Sequence, residues 1–244
     1  MCIDPSLPGL LVYPPIYYVP CTTDYPPMRF DILTIFPQFI EENPYFKYSI
    51  IGRAINKKFI KVKAHDIRKY SKDKHKKVDD IPYGGGAGMV MTCQPIFDAI
   101  KAIKKQNKGP VIFLTPHGEK LTHEKAQKLA KKKGVILLCG RYEGVDQRVR
   151  DKLIDEEISI GDYVLTGGEL PAMIVVDTIT RLLPGVLHDD NSALEDSFTE
   201  KLEGKKEYPH YTRPEVYKKM KAPKILLSGN HAEIEKWRKA HLKV

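Results

Sequence analysis

Several things are scarce in this 244-residue chain, and each scarcity removes a class of protein. Its four cysteines, Cys2, Cys21, Cys93 and Cys139, show no pair at metal-ligand spacing. Neither a zinc ribbon nor a disulfide framework is indicated, and small buried hydrophobes in a reducing, cytoplasmic setting are expected. The longest uncharged run, residues 5–23, holds Pro5, Pro8, Pro14, Pro15 and Pro20, too many prolines for a membrane-spanning helix. It also lacks the positively charged start of a secretory signal. The first 27 residues contain no Lys or Arg but seven prolines, and read as a disordered or loosely packed leader. Acidic charge is in deficit overall. The formal charge is +9, and because the leader carries −2 the remaining residues carry +11. A polyanionic partner is expected, nucleic acid before membrane.

What is present from Met28 onward is alternation of strand and helix patterns. RFDILTIF (29–36), FIKVKAH (59–65), VIFLT (111–115), VILLCG (135–140) and the start of EISIGDYVLTGG (157–168) read as strands. VILLCG, apolar throughout, suits a central parallel strand covered on both faces. Helices are expected over 44–58, opened by Pro44, over 94–106, over 121–134 with Thr122 as N-cap and Gly134 as stop, and over 169–183. This order predicts a mostly parallel α/β sheet. A polar, weakly periodic segment (184–211) then reads as linker or functional loop, and 213–220 and 231–242 as a small helical appendage.

Glycine clusters carry the functional signal. IPYGGGAGM (81–89) looks like a phosphate cradle, but Gly88 is followed by Met-Val-Met rather than Lys and Ser or Thr, which fails the P-loop pattern. It follows the charged loop RKYSKDKHKKVDD rather than a strand and has no acid some twenty residues on, so the dinucleotide fingerprint and a dehydrogenase fail too. A tight, shape-fixing loop beside a ligand crevice is expected instead, presenting Asp79, Asp80 and Tyr83. LTPHG (114–118), CGRYEGVDQRV (139–149) and IGDYVLTGGELPAM (160–173) all lie at the carboxyl ends of strands, where open α/β sheets bind ligands. Their backbone groups could grip an adenosine without a phosphate loop.

PYGGGAGM, CGRYEGVDQRV, IGDYVLTGGELPAM, PGVL with EDSF, YPHYTRPEVY and LSGNHAEIEKWR, in this order, closely resemble the TrmD-type tRNA (guanine37-N1)-methyltransferases. The resemblance runs from Met28 to about Arg238. It implies a SPOUT-superfamily α/β domain (28–187) with a deep trefoil knot, a linker (188–209) and a small helical tRNA-binding domain (210–244), shorter than is usual in the family. S-adenosylmethionine is the implied donor and tRNA the implied substrate. A cytoplasmic homodimer with its active site at the subunit interface is also implied. Magnesium is implied as well, with no ligands assignable; His188-Asp189-Asp190 lack partners at ligand spacing.

Carried over residue by residue, the donor pocket comprises Leu114, Thr115, Pro116, Gly140, Tyr142, Glu143, Ile160, Gly161, Asp162, Tyr163, Val164, Leu165, Gly167, Gly168 and Pro171. Asp196 is the implied general base and Arg181 the stabiliser of guanine O6. Without the resemblance, Asp196 would read as a solvated loop acid or helix cap, and Arg181 as a helix arginine reaching outwards. Glu143, counted with the implied catalytic residues as well as the donor pocket, faces either guanine or the methionine amine. Ten Lys and Arg against two Asp over 57–77 are the expected contact to an RNA backbone, whereas Lys131–Lys133 read as a solvated face. Two rivals share parts of this pattern: a related knotted enzyme acting on ribosomal RNA, and a non-catalytic RNA-binding protein of the same fold.

Overall fold

The computed structural model describes residues 26–187 and 196–243. The leader expected over 1–27 and the His188-Asp189-Asp190 triplet therefore lie almost wholly outside the described residues.

Five strands form one parallel sheet. In chain order they are β1 (Met28–Thr34), β2 (Ile60–Asp66), β5 (Val111–Lys120), β6 (Gly134–Cys139) and β7 (Glu156–Ser159), arranged β2-β1-β6-β5-β7. Every β6 residue is buried. Its side chains divide by the two-residue period of a strand. Val135, Leu137 and Cys139 enter one core with Phe30, Ile32 and Leu114, and Ile136 and Leu138 enter the other with Leu33, Val111 and Phe113. Two cores require helices on both faces. Helices α2 (Ser49–Asn56), α4 (His123–Ala130) and α6 (Glu169–Thr180) cover the first, and α3 (Cys93–Ile103) and α5 (Gln147–Leu153) the second. A short helix, α1 (Gln38–Glu41), follows β1, and β3 (Asp79–Asp80) pairs with β4 (Val90–Met91). The expected parallel α/β architecture is the one found.

Three element assignments are corrected. The helix read over 44–58 is split into a 3-10 turn (Pro44–Phe46) and α2, because Ser49 takes φ +57 and the chain at Lys47 folds onto Gly52, where a Cβ would lie 2.5 Å from the Lys47 carbonyl oxygen. Gly134 does not stop α4, which ends at Ala130 with Lys131 as its cap; it opens β6. There a Cβ would approach the Arg29 carbonyl oxygen to 2.8 Å, so its small size serves strand pairing rather than helix termination. Residues 213–220 are not helical. They hold a hairpin of β8 (Val216–Tyr217) and β9 (Met220–Lys221), ahead of α7 (Lys224–Leu227) and α8 (His231–Ala240).

A buried carboxylate stands inside the sheet. Asp31 of β1 is fully buried and accepts hydrogen bonds from His65 Nε2 (2.6 Å), Arg29 Nε (2.6 Å) and Asn107 Nδ2 (2.8 Å). Burial pushes its carboxyl up, but the bonds from His65, Arg29 and Asn107 more than offset this and hold it at about 2. Because the folded value is depressed, the stability it contributes is present above the ordinary value of 3.8 and is lost as pH falls towards about 2. Urea titrations should show roughly 2 kcal/mol of stability disappearing across that window. Asp31→Asn should flatten that window and lower stability at neutral pH by about 3 kcal/mol, as expected when one partner of a buried pair is removed. An unchanged acid limb in Asp31→Asn would show that another group sets it.

Candidate active site

The sheet order places the carboxyl ends of β6, β5 and β7 side by side, so the three loops singled out in the sequence converge. The first is a bulge. Leu114 and Glu119 both pair with Ile158, so Thr115–Gly118 are looped out of β5. Leu114 and Thr115 are buried and Pro116 is exposed, while Thr115 Oγ1 contacts His117 Nδ1 at 3.2 Å.

The second loop follows β6. Tyr142 takes φ +59 and is half exposed, a left-handed conformation uncommon for a bulky side chain. Burial and neighbouring Asp79 push its hydroxyl up. The Glu143 amide donates to the Met89 carbonyl at 3.0 Å, and the Met91 amide to the Gly144 carbonyl at 2.9 Å. The glycine-rich stretch is thereby fastened to this loop, but unevenly. A Cβ at Gly88 would lie 2.5 Å from Glu143 Oε1, whereas Cβ atoms at Gly84, Gly85 and Gly86 would meet nothing within 4 Å. Gly88 shapes the crevice edge. The other three, at φ between +80 and +117, form an open turn bearing the exposed Tyr83.

The third loop runs from β7 into α6. Ser159 Oγ donates to the Gly161 carbonyl, Tyr163 OH to the Ile160 carbonyl, and the Gly168 amide to the Gly140 carbonyl at 3.0 Å. A Cβ at Gly168 would stand 2.6 Å from Cys139 Cα, and one at Gly140 would stand 2.9 Å from the Phe113 ring. Tyr163, Val164 and Leu165 are exposed and Pro171 is buried in α6. Asp162 points outwards to Lys120 at 2.5 Å.

One supporting network escapes sequence reading. Arg141 donates to the Thr166 carbonyl (2.9 Å) and pairs with the buried Glu169 (2.8 Å), which accepts from Thr34 Oγ1 (2.5 Å). Its guanidinium also lies 4.7 Å from the Phe36 ring centroid. Arg141 thus ties the third loop to the second and both to the end of β1. Only the adjacency of Arg141 to Gly140 hinted at this.

The predicted catalytic residues are only partly gathered. Arg181, at the end of α6, lies 2.7 Å from Asp196 Oδ2 through its NH2. Among the described residues Asp196 Oδ1 receives no hydrogen bond. Both line a cleft of about 440 Å³ with Leu121, His123, Ile160 and Glu207. Ile160 is the donor-loop residue it reaches. Glu143 does not line this cleft, so within one chain it is not joined to the Arg181–Asp196 pair. Phe198, two residues beyond Asp196, is half exposed at φ +70. Burial pushes the His123 imidazole below its ordinary value, with Asp196 opposing and Arg181 reinforcing the shift, so it is neutral at neutral pH. One turn before Arg181, burial pushes the Asp177 carboxyl up while Arg181 opposes.

The parallel sheet, with glycine-bearing loops at three adjacent strand ends and an acid–guanidinium pair nearby, defines an α/β transferase of SPOUT type. The profile described as tRNA (Guanine-1)-methyltransferase TrmD matches residues 28–244, and the chain belongs to that family, whose members use S-adenosylmethionine as methyl donor. A tRNA (guanine-N(1)-)-methyltransferase of Ruminiclostridium cellulolyticum is 55% identical over 213 residues, covering 86% of this chain and 89% of the relative. Another, from Clostridioides difficile, is 52% identical over 215 residues, covering 87% and 91%. The crystal structure of tRNA (m1G37) methyltransferase from Aquifex aeolicus superposes with a TM-score of 0.71 at 41% identity, covering 88% of this chain and 89% of that one.

The backbone contact between Gly168 and β6 should be sensitive. Gly168→Ala forces a Cβ against Cys139 Cα. Overpacking of this kind costs about 1–3 kcal/mol, so calorimetry should show S-adenosylmethionine affinity reduced roughly tenfold or more. Unaltered affinity would remove this contact from the pocket.

Proposed function

We propose that this chain transfers a methyl group from S-adenosylmethionine to N1 of guanosine 37 of tRNA, the nucleotide 3′ of the anticodon. Family membership supports the reaction class, and the 2.7 Å Arg181–Asp196 pair supports the target atom. The Watson–Crick edge of guanine carries a donor, N1–H, beside an acceptor, O6. A carboxylate beside a guanidinium offers the complementary acceptor and donor. Adenine presents the opposite order at these positions and is refused.

When bound, the donor supplies an electrophilic methyl group on a sulfonium sulfur. The loops at 114–116, 140–143 and 160–171 supply the cradle. The second and third of these are tied to each other by the Gly168–Gly140 bond and by Arg141, and a Cβ at Gly140, Gly161, Gly167 or Gly168 would collide with neighbouring atoms. N1 carries a proton and has no free lone pair for attack. Asp196 takes that proton through Oδ1, and Arg181 stabilises the charge that moves to O6. Two copies of the chain complete the site in this reading, consistent with the exposed apolar side chains Phe36, Phe39, Leu170 and Ile174. The deep trefoil knot and a cytoplasmic location belong to the same reading. Among the described residues no three His, Cys, Asp or Glu gather to hold a metal, and no step here runs through magnesium. No helix among them is long and apolar enough to cross a membrane.

Asp196→Asn should leave S-adenosylmethionine affinity unchanged while single-turnover methylation of a tRNA transcript falls roughly 10²–10⁴-fold. A transcript with A37 should not be methylated, and mapping of the product should place the methyl on N1 of G37. Methylation of ribosomal RNA instead, or near-normal transfer by Asp196→Asn, would overturn the assignment.

The basic stretch 57–77 supplies backbone contacts. Lys61 and Lys63 project from edge strand β2, and the loop after Tyr70 is organised. Asp73 accepts from the His75 and Lys77 amides, and Ser71 Oγ donates to the Lys77 carbonyl. Affinity for tRNA should fall steeply with salt, with a log–log slope reduced by roughly 0.7–0.9 for each phosphate-contacting lysine replaced by Gln. A slope unaltered in Lys57, Lys61 and Lys63 variants would mean these charges only solvate.

A further inference from the structure

Asp196 sits on an irregular loop, yet a general base needs a fixed direction. Its carbonyl accepts from Thr199 Oγ1 at 2.7 Å, which closes the turn on one side. On the other side is a reciprocal clasp: the Ser197 amide donates to Glu207 Oε1 at 2.8 Å, and the Glu207 amide donates to Ser197 Oγ at 3.0 Å. The two strands of this loop also meet through the Phe198 amide and the Lys205 carbonyl at 2.8 Å. The second oxygen, Glu207 Oε2, lies 2.9 Å from His210 Nε2.

Glu207 is the other carboxylate lining the Asp196 cleft, and it invites the role of base. Its geometry favours Asp196 for that role. Both oxygens are already engaged, one by a backbone amide and one by an imidazole, whereas Asp196 is bound through Oδ2 alone among the described residues. We propose that Glu207 is a positioning residue: it fixes the peptide plane at Ser197, and through it the direction in which Asp196 projects into the cleft. This rests on the assignment of Asp196 as base.

The clasp also reaches the carboxyl-terminal part of the chain. His210 packs on the Tyr208 ring at 4.9 Å, Arg238 of α8 lies 5.0 Å from the Tyr208 centroid, and Lys206 and Lys243 exchange backbone hydrogen bonds at 2.8 and 3.1 Å. Glu207 thereby sets the base in register with the segment that follows it. Burial pushes its carboxyl up, but His210 and Ser197 hold it below the ordinary value, so the clasp is ionised at neutral pH.

The test compares two conservative variants. Glu207→Gln keeps an acceptor oxygen of the same reach for the Ser197 amide, and Glu207→Asp keeps the charge but shortens the reach. Single-turnover methyl transfer at saturating tRNA and S-adenosylmethionine should stay within about threefold of wild type in Glu207→Gln. It should fall about tenfold or more in Glu207→Asp, because displacements on the order of an ångström cost up to ~10²-fold. Donor affinity and thermal midpoint should be alike in both variants, which a merely structural role would not produce. Wild-type rates in Glu207→Asp, or losses that track a lowered midpoint in both variants, would overturn the proposal. Asp196→Asn runs alongside: if it retains transfer, the base assignment has failed instead, and the two failures are distinguishable.

Discussion

The site depends on one close approach of backbone to backbone. Strand β6 ends at Cys139, and the chain entering α6 lies directly on that end at Gly168, whose amide donates to the Gly140 carbonyl. No side chain fits between them, since even a methyl group at 168 would stand 2.6 Å from Cys139 Cα. Two loops separated by more than twenty residues are thus fixed as one surface. The support beneath is stiff because β6 is buried from end to end between two helical layers. Around it Arg141 performs with side-chain atoms what Gly168 performs with the main chain, holding the Thr166 carbonyl and the buried Glu169 carboxylate together. A crevice built this way takes its shape from backbone packing rather than from a signature of charged residues.

This explains which features were legible in sequence. The strands were plain because their apolar runs are short, continuous and bounded, as in VILLCG. The placing of glycine clusters at strand ends was legible too. The reason for each glycine was not. Gly134 follows three lysines after a helical pattern and looks like a stop, but its constraint is the Arg29 carbonyl, more than a hundred residues away in sequence. In IPYGGGAGM four glycines look equivalent, yet only Gly88 abuts Glu143. The hairpin at 216–221 was hidden because its turn is Lys218-Lys219, at φ +49 and +68, where a two-residue turn ordinarily takes Asn-Gly. Ser49 at φ +57 hid the break in the 44–58 helix in the same way.

The candidate site shows the same division. Arg181 and Asp196 became visible through motif resemblance, fifteen positions apart, and the fold brings them to 2.7 Å. His123 and Glu207 lie outside the matched motifs, and Arg141 and Glu169 lie inside them with no role attached. Each is defined by partners that only the fold supplies, such as Thr34 for Glu169 across 135 positions. A lone His at the start of a helix, or a Glu in a lysine-rich loop, reads as solvated surface until its neighbours are known.

The weakness of the Arg181–Asp196 pair suits the role proposed for it. Its side chains are 42% and 25% exposed, in a cleft open to solvent. Ion pairs in such surroundings contribute about 0–1 kcal/mol, because water competes for both partners. Separating them therefore costs little, and in the proposed mechanism Arg181 would exchange Asp196 for the O6 of an entering guanine without a large barrier. A deeply buried pair would resist that exchange by several kcal/mol, the penalty of leaving one charge uncompensated. The contrast with Asp31 is instructive, since that carboxylate is fully buried and bound by three partners, a geometry suited to holding a sheet and not to accepting a proton. Asp196 is held at its carbonyl and at the next amide, while its carboxylate is bound through Oδ2 alone, the oxygen left over being the one the proposed mechanism uses. A firm backbone and a carboxylate with one oxygen paired and the other open would together make a base that is aimed yet still able to accept a proton.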